Sequence, residues 1–391
     1  MKICDLTQFY SPRSGGVKRY LHEKIAFLET QSPDHRHVLI VPGAKTSVVV
    51  NGRSTVYTIH SPLIPRSGGY RALLNLAAID EVIERERPDV IECADPYQLA
   101  WKTLRASRNF RIPAVAFYHS HFPEAYFRAP ARRLGRVPVE IVMRGARAYV
   151  CNLYNRFERT LCPSAPLAKI LREWGVRGVD VVNLGVNTAM FCPPNRASAR
   201  SGDRATLPAD RIILLYVGRL ASEKNTKTLF QSFRLVAQHT SKKFHLVVVG
   251  DGPERGELQT LKSESEDVTW LPYCADPSEL TEWYRVADIF VHPGVQETFG
   301  LVALESQACG TPVLGIRGSR MDEIIFHNQE SWAKENTAEA LAQAILQMSE
   351  RDLTGMSEIA SATARESYSW PRVFDRLLCI YRDVCAHYQP S

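Results

Sequence analysis

Short apolar runs alternate with amphipathic stretches along nearly the whole chain, and few folds accommodate that alternation. KICDLTQFY, beginning at Lys2, reads as a strand, and VKRYLHEKIAFLE, beginning at Val17, reads as a helix. HVLIVPG is a second strand. LLNLAAIDEVIERERP is a helix stopped near Pro88, and DVIECADP a buried strand with its turn. IPAVAFYHSH is a strand, VEIVMRGARAYVCNLYNRF a long helix, and TLCPSAPLAKILREWG a short strand plus a helix. VDVVNLGVN closes this half, and a second strand–helix series begins at Ile212. Repeated units of this kind imply an α/β fold with mostly parallel sheets covered by helices on both faces.

At 391 residues the chain exceeds what one core usually supports, so two domains are expected. PPNRASARSGDRATLPAD, from Pro193, is polar and lacks periodicity, which places a linker at 187–210. The first domain then covers 1–186 and the second 211–370. Residues 371–391 form an amphipathic helix after Pro371, expected to cross back to the first domain. A ligand is expected in the cleft between the halves.

No apolar run approaches the length of a membrane span; the longest are strands such as IILLYV. The chain opens on a strand without a signal-peptide segment, so a cytoplasmic location is expected. Nine Cys, an odd number with no C-x-x-C spacing, favour reduced and mostly buried thiols over a disulfide framework or a zinc site. The net charge of +6 is modest but unevenly spread. Between Trp101 and Thr160 stand Lys102 and eleven Arg, from Arg105 to Arg159, opposed only by Glu124, Glu140 and Glu158.

Two stretches carry the chemistry. QETFGLVALESQACGTPV (Gln296–Val313) brackets an apolar run with Glu297 and Glu305. Its pattern predicts a loop carrying Glu297, a turn through Thr298 and Phe299 to Gly300, and a helix from Leu301 to Ala308. Such a helix turns unpaired N–H groups toward the loop and makes a seat for phosphate. LLYVGRLASEKN (Leu214–Asn225) is a strand ending at Gly218, with Arg219 and Lys224 at its carboxyl end. Open α/β sheets bind ligands there, and both cations can neutralise a diphosphate.

With VVVGDGPERGEL (Val247–Leu258) and ADIFVHPGVQETFG (Ala287–Gly300), these stretches resemble the retaining GT-B glycosyltransferases of the GT4 type, and the resemblance covers nearly the whole chain. It implies two Rossmann-like doubly wound domains and a nucleotide-sugar donor, UDP- or GDP-linked. In that family the E-x7-E pair meets the donor, which assigns Glu297 to the sugar and Glu305 to the ribose, with Thr298, Phe299, Gly300 and Leu301 between them. Arg219 and Lys224, after Gly218, meet the diphosphate. The SPRSGGVKRY loop places Gly15 and Gly16, where glycine allows close backbone approach and positive φ, near the phosphates and the acceptor. His119 corresponds to a residue touching the donor sugar or orienting the acceptor, and His121 stays open. Tyr273 and Cys274 lie where relatives hold the base. Relatives carry Gly-Gly and then an acid after the G-T-P-V turn; here Glu323 keeps the acid, but Arg320 replaces a Gly.

No D-x-D occurs and H-x-H at 119–121 has no third ligand, so no metal or other cofactor is expected. No general base stands out, consistent with front-face retaining transfer in which the departing phosphate takes the acceptor's proton. The basic segment reads as a solvated face or as a seat for anionic lipid headgroups with Tyr126, Phe127, Tyr149, Tyr154 and Phe157 as anchors. No nucleic-acid module is present, and no nucleic-acid partner is expected. Resemblance to the lipid-glycosylating branch (sulfolipid synthases and diacylglycerol or phosphatidylinositol glycosyltransferases) favours a hexosyltransferase peripheral on the inner face of the cytoplasmic membrane. A soluble acceptor, a nucleotide-sugar epimerase and a non-catalytic nucleotide-sugar sensor are the alternatives.

Overall fold

The structure is a computed structural model that describes the chain except for residues 12–14, 66, 68, 125–135, 195–206, 240–242, 273, 275, 296, 320, 322, 328 and 390–391. It divides into two compact units, Met1–Leu184 with Trp370–Ser391, and Gly185–Ser369. Residues 187–194, read from sequence as the start of the linker, group with the second unit.

The first unit runs β1 (Lys2–Leu6), α1 (Gly16–Thr30), β2 (Arg36–Gly43), β3 (Ser47–Asn51), β4 (Ser54–His60), α2 (Ala77–Glu86), β5 (Val90–Cys93), α3 (Gln98–Phe110), β6 (Ala114–Phe117), α4 (Arg136–Tyr154), β7 (Arg159–Cys162), α5 (Ala165–Glu173) and β8 (Val179–Val181). Its strands lie in the order β3-β4-β2-β1-β5-β6-β7-β8, parallel except for the β3–β4 hairpin. The central strands are buried on both faces, as a sheet between helix layers requires, and their inner positions are mostly apolar, apart from Asp5 on β1 and Glu92 on β5. Three elements were not legible. The β3–β4 hairpin carries three exposed valines, so burial could not announce it. Much of the buried side of α3 is Ala100, Thr103, Ala106 and Ser107, small or polar groups that leave a weak apolar stripe.

The C-terminal helix, Trp370–His387, belongs to this unit and packs against α1. Trp370 and Phe374 meet Tyr20, and Phe374 also meets Phe27. Beneath them Lys24, 1 % exposed, lies 2.8 Å from Asp5 Oδ1 and 3.5 Å from Glu92 Oε2, and donates to Tyr381 Oη at 2.7 Å. His37 Nε2 holds the other Asp5 oxygen at 2.5 Å, and Tyr20 and Tyr381 donate to Glu92. Burial alone would raise Asp5, but Lys24 and His37 hold it well below the usual range. Burial raises Glu92 to about 7 despite Lys24.

The second unit runs β9 (Ile212–Val217), α6 (Thr226–His239), β10 (Phe244–Val249), α7 (Arg255–Glu264), β11 (Val268–Leu271), α8 (Pro277–Val286), β12 (Ile289–Val291), α9 (Leu301–Ala308), β13 (Val313–Leu314), α10 (Ala338–Met348) and α11 (Leu353–Ser367). The sheet is parallel throughout, in the order β11-β10-β9-β12-β13. The chain leaves β9 toward β10 on one side and returns to β12 on the other. The switch point therefore lies between β9 and β12, where open α/β sheets open a crevice. At the strand ends a Cβ on Gly250 would stand 1.9 Å from Gly218 O, so two backbone turns meet where no side chain fits.

His327, buried below β13, accepts the Val313 N–H at Nε2 (3.0 Å), which requires a neutral ring. Burial pushes it down to about 4. The unfolded chain takes up this proton at the ordinary histidine value and the folded chain does not. Stability present above about pH 6.5 is therefore lost as pH falls toward 4, by up to about 1.4 kcal/mol per pH unit. Urea unfolding between pH 7.5 and 5 should show a shallower decline in His327→Gln, whose amide can keep the Val313 bond without titrating. An identical slope in both proteins would remove His327 from the account. No helix among the described residues is long and apolar enough to cross a membrane.

Candidate functional site

The switch point of the second unit brings together Lys224 and Glu297, two of the charged residues singled out in the sequence. After β9 the chain turns at Gly218 and forms a short 3-10 helix, Ser222–Lys224, which ends on Asn225 in the left-handed region (φ 59). The Asn225 side chain donates to Pro293 O at 3.0 Å, tying this loop to the one after β12. That second loop delivers Glu297, and Lys224 Nζ lies 2.5 Å from Glu297 Oε1. The pair is 73 residues apart in sequence. Tyr216, Gly218, Lys224, His292, Gly294, Glu297 and Val302 line one cavity of about 50 Å³.

Burial alone would raise Glu297, whose side chain is 13 % exposed, but Lys224 and then His292 outweigh it and hold the carboxyl below its ordinary value. Glu297 is thus an anion at neutral pH, lining a small cavity.

The helix α9 starts where the pattern placed it. Gly300 is its N-cap at φ 91, a conformation L side chains rarely adopt, and a Cβ there would stand 2.4 Å from Met321 Cε. Thr298 is half-buried. Phe299 is 2 % exposed and packs toward Tyr368, so its ring belongs to the core and any ligand contact from it comes through the backbone. Leu301 opens the helix. Glu305 lies a turn further on, fully buried, accepting from Tyr284 Oη at 3.0 Å; it does not line the Glu297 cavity. Arg219 likewise stands away from it, paired with Glu223 at the surface. Cys274 directs its thiol at Asp276 O, beside the N-cap of α8. Tyr273 and Arg320 lie outside the described residues, whereas Glu323 accepts at its backbone oxygen from Tyr368 Oη.

The remaining candidates lie in the first unit. Gly15 is the N-cap of α1 with open space at its Cβ position, but at φ −88, and Gly16 is not at positive φ either. The positive φ that glycine permits is used at neither position. His119 follows β6, stacks on Phe117 with centroids 3.9 Å apart, and has Nε2 buried without a hydrogen-bond partner. Burial, reinforced by Lys24, pushes it down to about 3, so the ring is neutral. His121 is a core residue, stacked on Trp174 and bonded at Nδ1 to Tyr118 Oη. Among the described residues no three His, Cys, Asp or Glu side chains converge as a metal ligand set would.

Two proposed membrane anchors are also corrected. Tyr154 and Phe157 are buried in the first unit's core, where Tyr154 packs on Tyr118. Tyr149 is half-buried, with its hydroxyl on Pro96 O, and Tyr126 and Phe127 lie outside the described residues. Of the nine thiols, all free, Cys4, Cys93, Cys162 and Cys309 are buried, fewer than expected.

Residues 201–367 match the model of the glycosyl transferases group 1, and residues 14–190 that of glycosyltransferase family 4. A GDP-mannose-dependent alpha-mannosyltransferase of Mycobacterium tuberculosis is 32 % identical over 300 residues, 76 % of this chain and 73 % of that protein. The chain belongs to the group 1 glycosyltransferases. Another relative of this glycosyltransferase is the GDP-mannose-dependent alpha-(1-6)-phosphatidylinositol dimannoside mannosyltransferase of Mycobacterium tuberculosis. It is 29 % identical over 385 residues, 97 % of this chain and 95 % of that one. A sucrose-phosphate synthase from Thermosynechococcus elongatus shares the fold, with TM-score 0.78 at 21 % identity over 98 % of this chain and 99 % of that one. The glycosyltransferase is therefore a GT-B protein, as its motifs implied.

Sequence reasoning missed His292, Asn225 and Tyr284 as members or supports of the site. His292 was visible only as the end of an apolar strand. Asn225 and Tyr284 act on residues 68 and 21 positions away, which no local pattern reports.

Proposed function

We propose that this glycosyltransferase moves mannose from GDP-mannose, with retention, to a hydroxyl of an inositol-phospholipid acceptor at an anionic membrane surface, without a metal ion. The observation that carries the reading is the near full-length match to a phosphatidylinositol dimannoside mannosyltransferase, which spans both halves of the chain.

The chemistry follows from the residues. The bond from sugar C1 to the diphosphate oxygen breaks and a bond from C1 to the acceptor oxygen forms on the same face. The acceptor's proton passes to the leaving diphosphate. Negative charge grows on that leaving group, and stabilising it is the main electrostatic task. Lys224, Arg219 after release from Glu223, and the N–H groups at the start of α9 would meet it. Glu297 would hold sugar hydroxyls and Glu305 the ribose, once each exchanges its present partner. The neutral His119, with Nε2 unpartnered, would bond a sugar or acceptor hydroxyl.

Membrane docking is supported by the first unit's surface, at the cytoplasmic face of the bilayer in this reading. Arg105, Arg108 and Arg144 are exposed on α3 and α4, together with Trp101, Ile141 and Val142. The two helices touch where Trp101 Nε1 donates to Tyr149 Oη. Cations among exposed apolar side chains suit an anionic interface.

The test is nucleotide release from UDP-, GDP- and ADP-sugars, with and without liposomes containing phosphatidylinositol. GDP release from GDP-mannose, raised by the liposomes, is expected. Release from another donor overturns the mannose reading. Release indifferent to lipid moves the acceptor to a soluble sugar.

A further inference from the structure

The Lys224–Glu297 pair poses a problem that the bound state must solve. In the structure Lys224 directs its charge at Glu297. Under the reading above it must also meet the donor diphosphate, and the more it turns there, the less it compensates Glu297. A buried carboxylate left without a partner is costly. Among the described residues, the other group whose charge bears favourably on Glu297 is His292, with Nε2 3.7 Å from Glu297 Oε1.

We propose that His292 is a positioning residue that takes over Glu297 when Lys224 engages the donor, and that it does so by accepting a proton. The inference rests on the donor-site reading and adds to it a residue and a proton.

The geometry favours the exchange. His292 follows β12 directly and is 4 % exposed, within the same cavity as Lys224 and Glu297. A Cβ on Gly294 would lie 3.1 Å from His292 Cε1 and 3.2 Å from Glu297 Oε1, so both side chains pack over this glycine. A shift of under an ångström would bring 3.7 Å to hydrogen-bond length. The ring is 39° from the plane of Phe290, 6.4 Å away, and the cavity otherwise presents Tyr216, whose hydroxyl is committed to Arg219 O. The charged and titratable groups facing His292 are therefore Glu297, Lys224 and the neutral Tyr216.

Those neighbours set the sign. In the free protein burial lowers His292, Glu297 raises it and Lys224 lowers it, with a net downward shift. The ring is neutral at pH 7. When Lys224 turns to the diphosphate, its repulsion weakens while the Glu297 carboxylate stays, so His292 rises and binds a proton. Donor binding then takes up a proton, and donor affinity falls as pH rises, by at most about tenfold per pH unit. An intact sugar-nucleotide diphosphate carries no phosphate group titrating near neutrality, so the uptake belongs to the protein.

The experiment is calorimetric titration of the full chain with intact GDP-mannose at pH 7, in two buffers of different ionisation enthalpy. Wild type should take up a substantial fraction of a proton and bind several-fold more weakly at pH 8 than at pH 6. His292→Gln should bind with near-zero uptake and a flat pH profile. Lys224→Gln should also lose the uptake, because Glu297 already has His292 as its partner before the donor arrives. Binding by wild type without uptake, or the same uptake in His292→Gln, overturns the inference while leaving the donor reading intact. If GDP-mannose does not bind but another sugar nucleotide does, the mannose reading fails and the titration with that donor decides the inference. If none binds, both fall. Should His292→Gln not fold, the wild-type and Lys224→Gln titrations still decide.

Discussion

Replacing Glu297 by Gln is expected to lower kcat/KM by about 100- to 1,000-fold, while the melting temperature stays within a few degrees of wild type. The carboxylate faces a cavity, so the fold loses little packing. Gln can still accept from Lys224 through its amide oxygen, which keeps the half-buried ammonium partnered. What disappears is the negative charge that holds Lys224 and, in the proposed complex, accepts hydrogen bonds from the donor sugar. Glu297→Ala goes further, leaving Lys224 unpaired, and should be at least as inactive. Initial rates of nucleotide release with circular dichroism on the same samples would check both. A folded Glu297→Ala protein within threefold of wild-type activity would remove Glu297 from the mechanism.

Replacing Lys24 by Met should be the most damaging change to stability in the first unit, at about 3–5 kcal/mol. Lys24 is a single cation between two buried carboxylates, Asp5 and Glu92. Met fills the volume and leaves both acids uncompensated except for His37. Against a total stability of about 5–15 kcal/mol, that loss takes many such proteins to the edge of folding. The loss should depend on pH. Glu92 already sits near neutrality, and without Lys24 it rises further, so the folded variant binds a proton that the unfolded chain releases. A raised carboxyl value means stability falls as pH rises through it, so Lys24→Met should be markedly less stable at pH 8 than at pH 5.5. Equal loss at both pH values would show that the cation does not compensate Glu92. Because Tyr381 also bonds Lys24 and Glu92, protease sensitivity of the C-terminal helix should rise in parallel.

Much of this architecture is carried by local signals. Parallel strands buried on both faces need continuous apolar runs, and runs such as IILLYV and FHLVVV state that in the sequence. The helix from Leu301 to Ala308 was legible because Gly300 and the flanking acids punctuate it. The β3–β4 hairpin was not, because an edge strand without a buried face has no burial pattern to display. Tyr154 and Phe157 misled for the converse reason: an aromatic in an arginine-rich stretch looks the same whether it faces lipid or the core.

The chain by itself determined the class: strand–helix alternation, two α/β series, and acids and bases placed where parallel strands end. These depend on neighbours within a few residues, where periodicity and turn chemistry act. Only the tertiary structure decided which charges meet. It paired Lys224 with Glu297 rather than Arg219, which turns to Glu223. It buried Glu305 against Tyr284, set His292 beside the Lys224–Glu297 pair, and gathered residues 5, 24, 37, 92 and 381 around one ammonium. Electrostatic energy falls with distance in space and is blind to distance along the chain, so such pairings exist only once the strands have found their order.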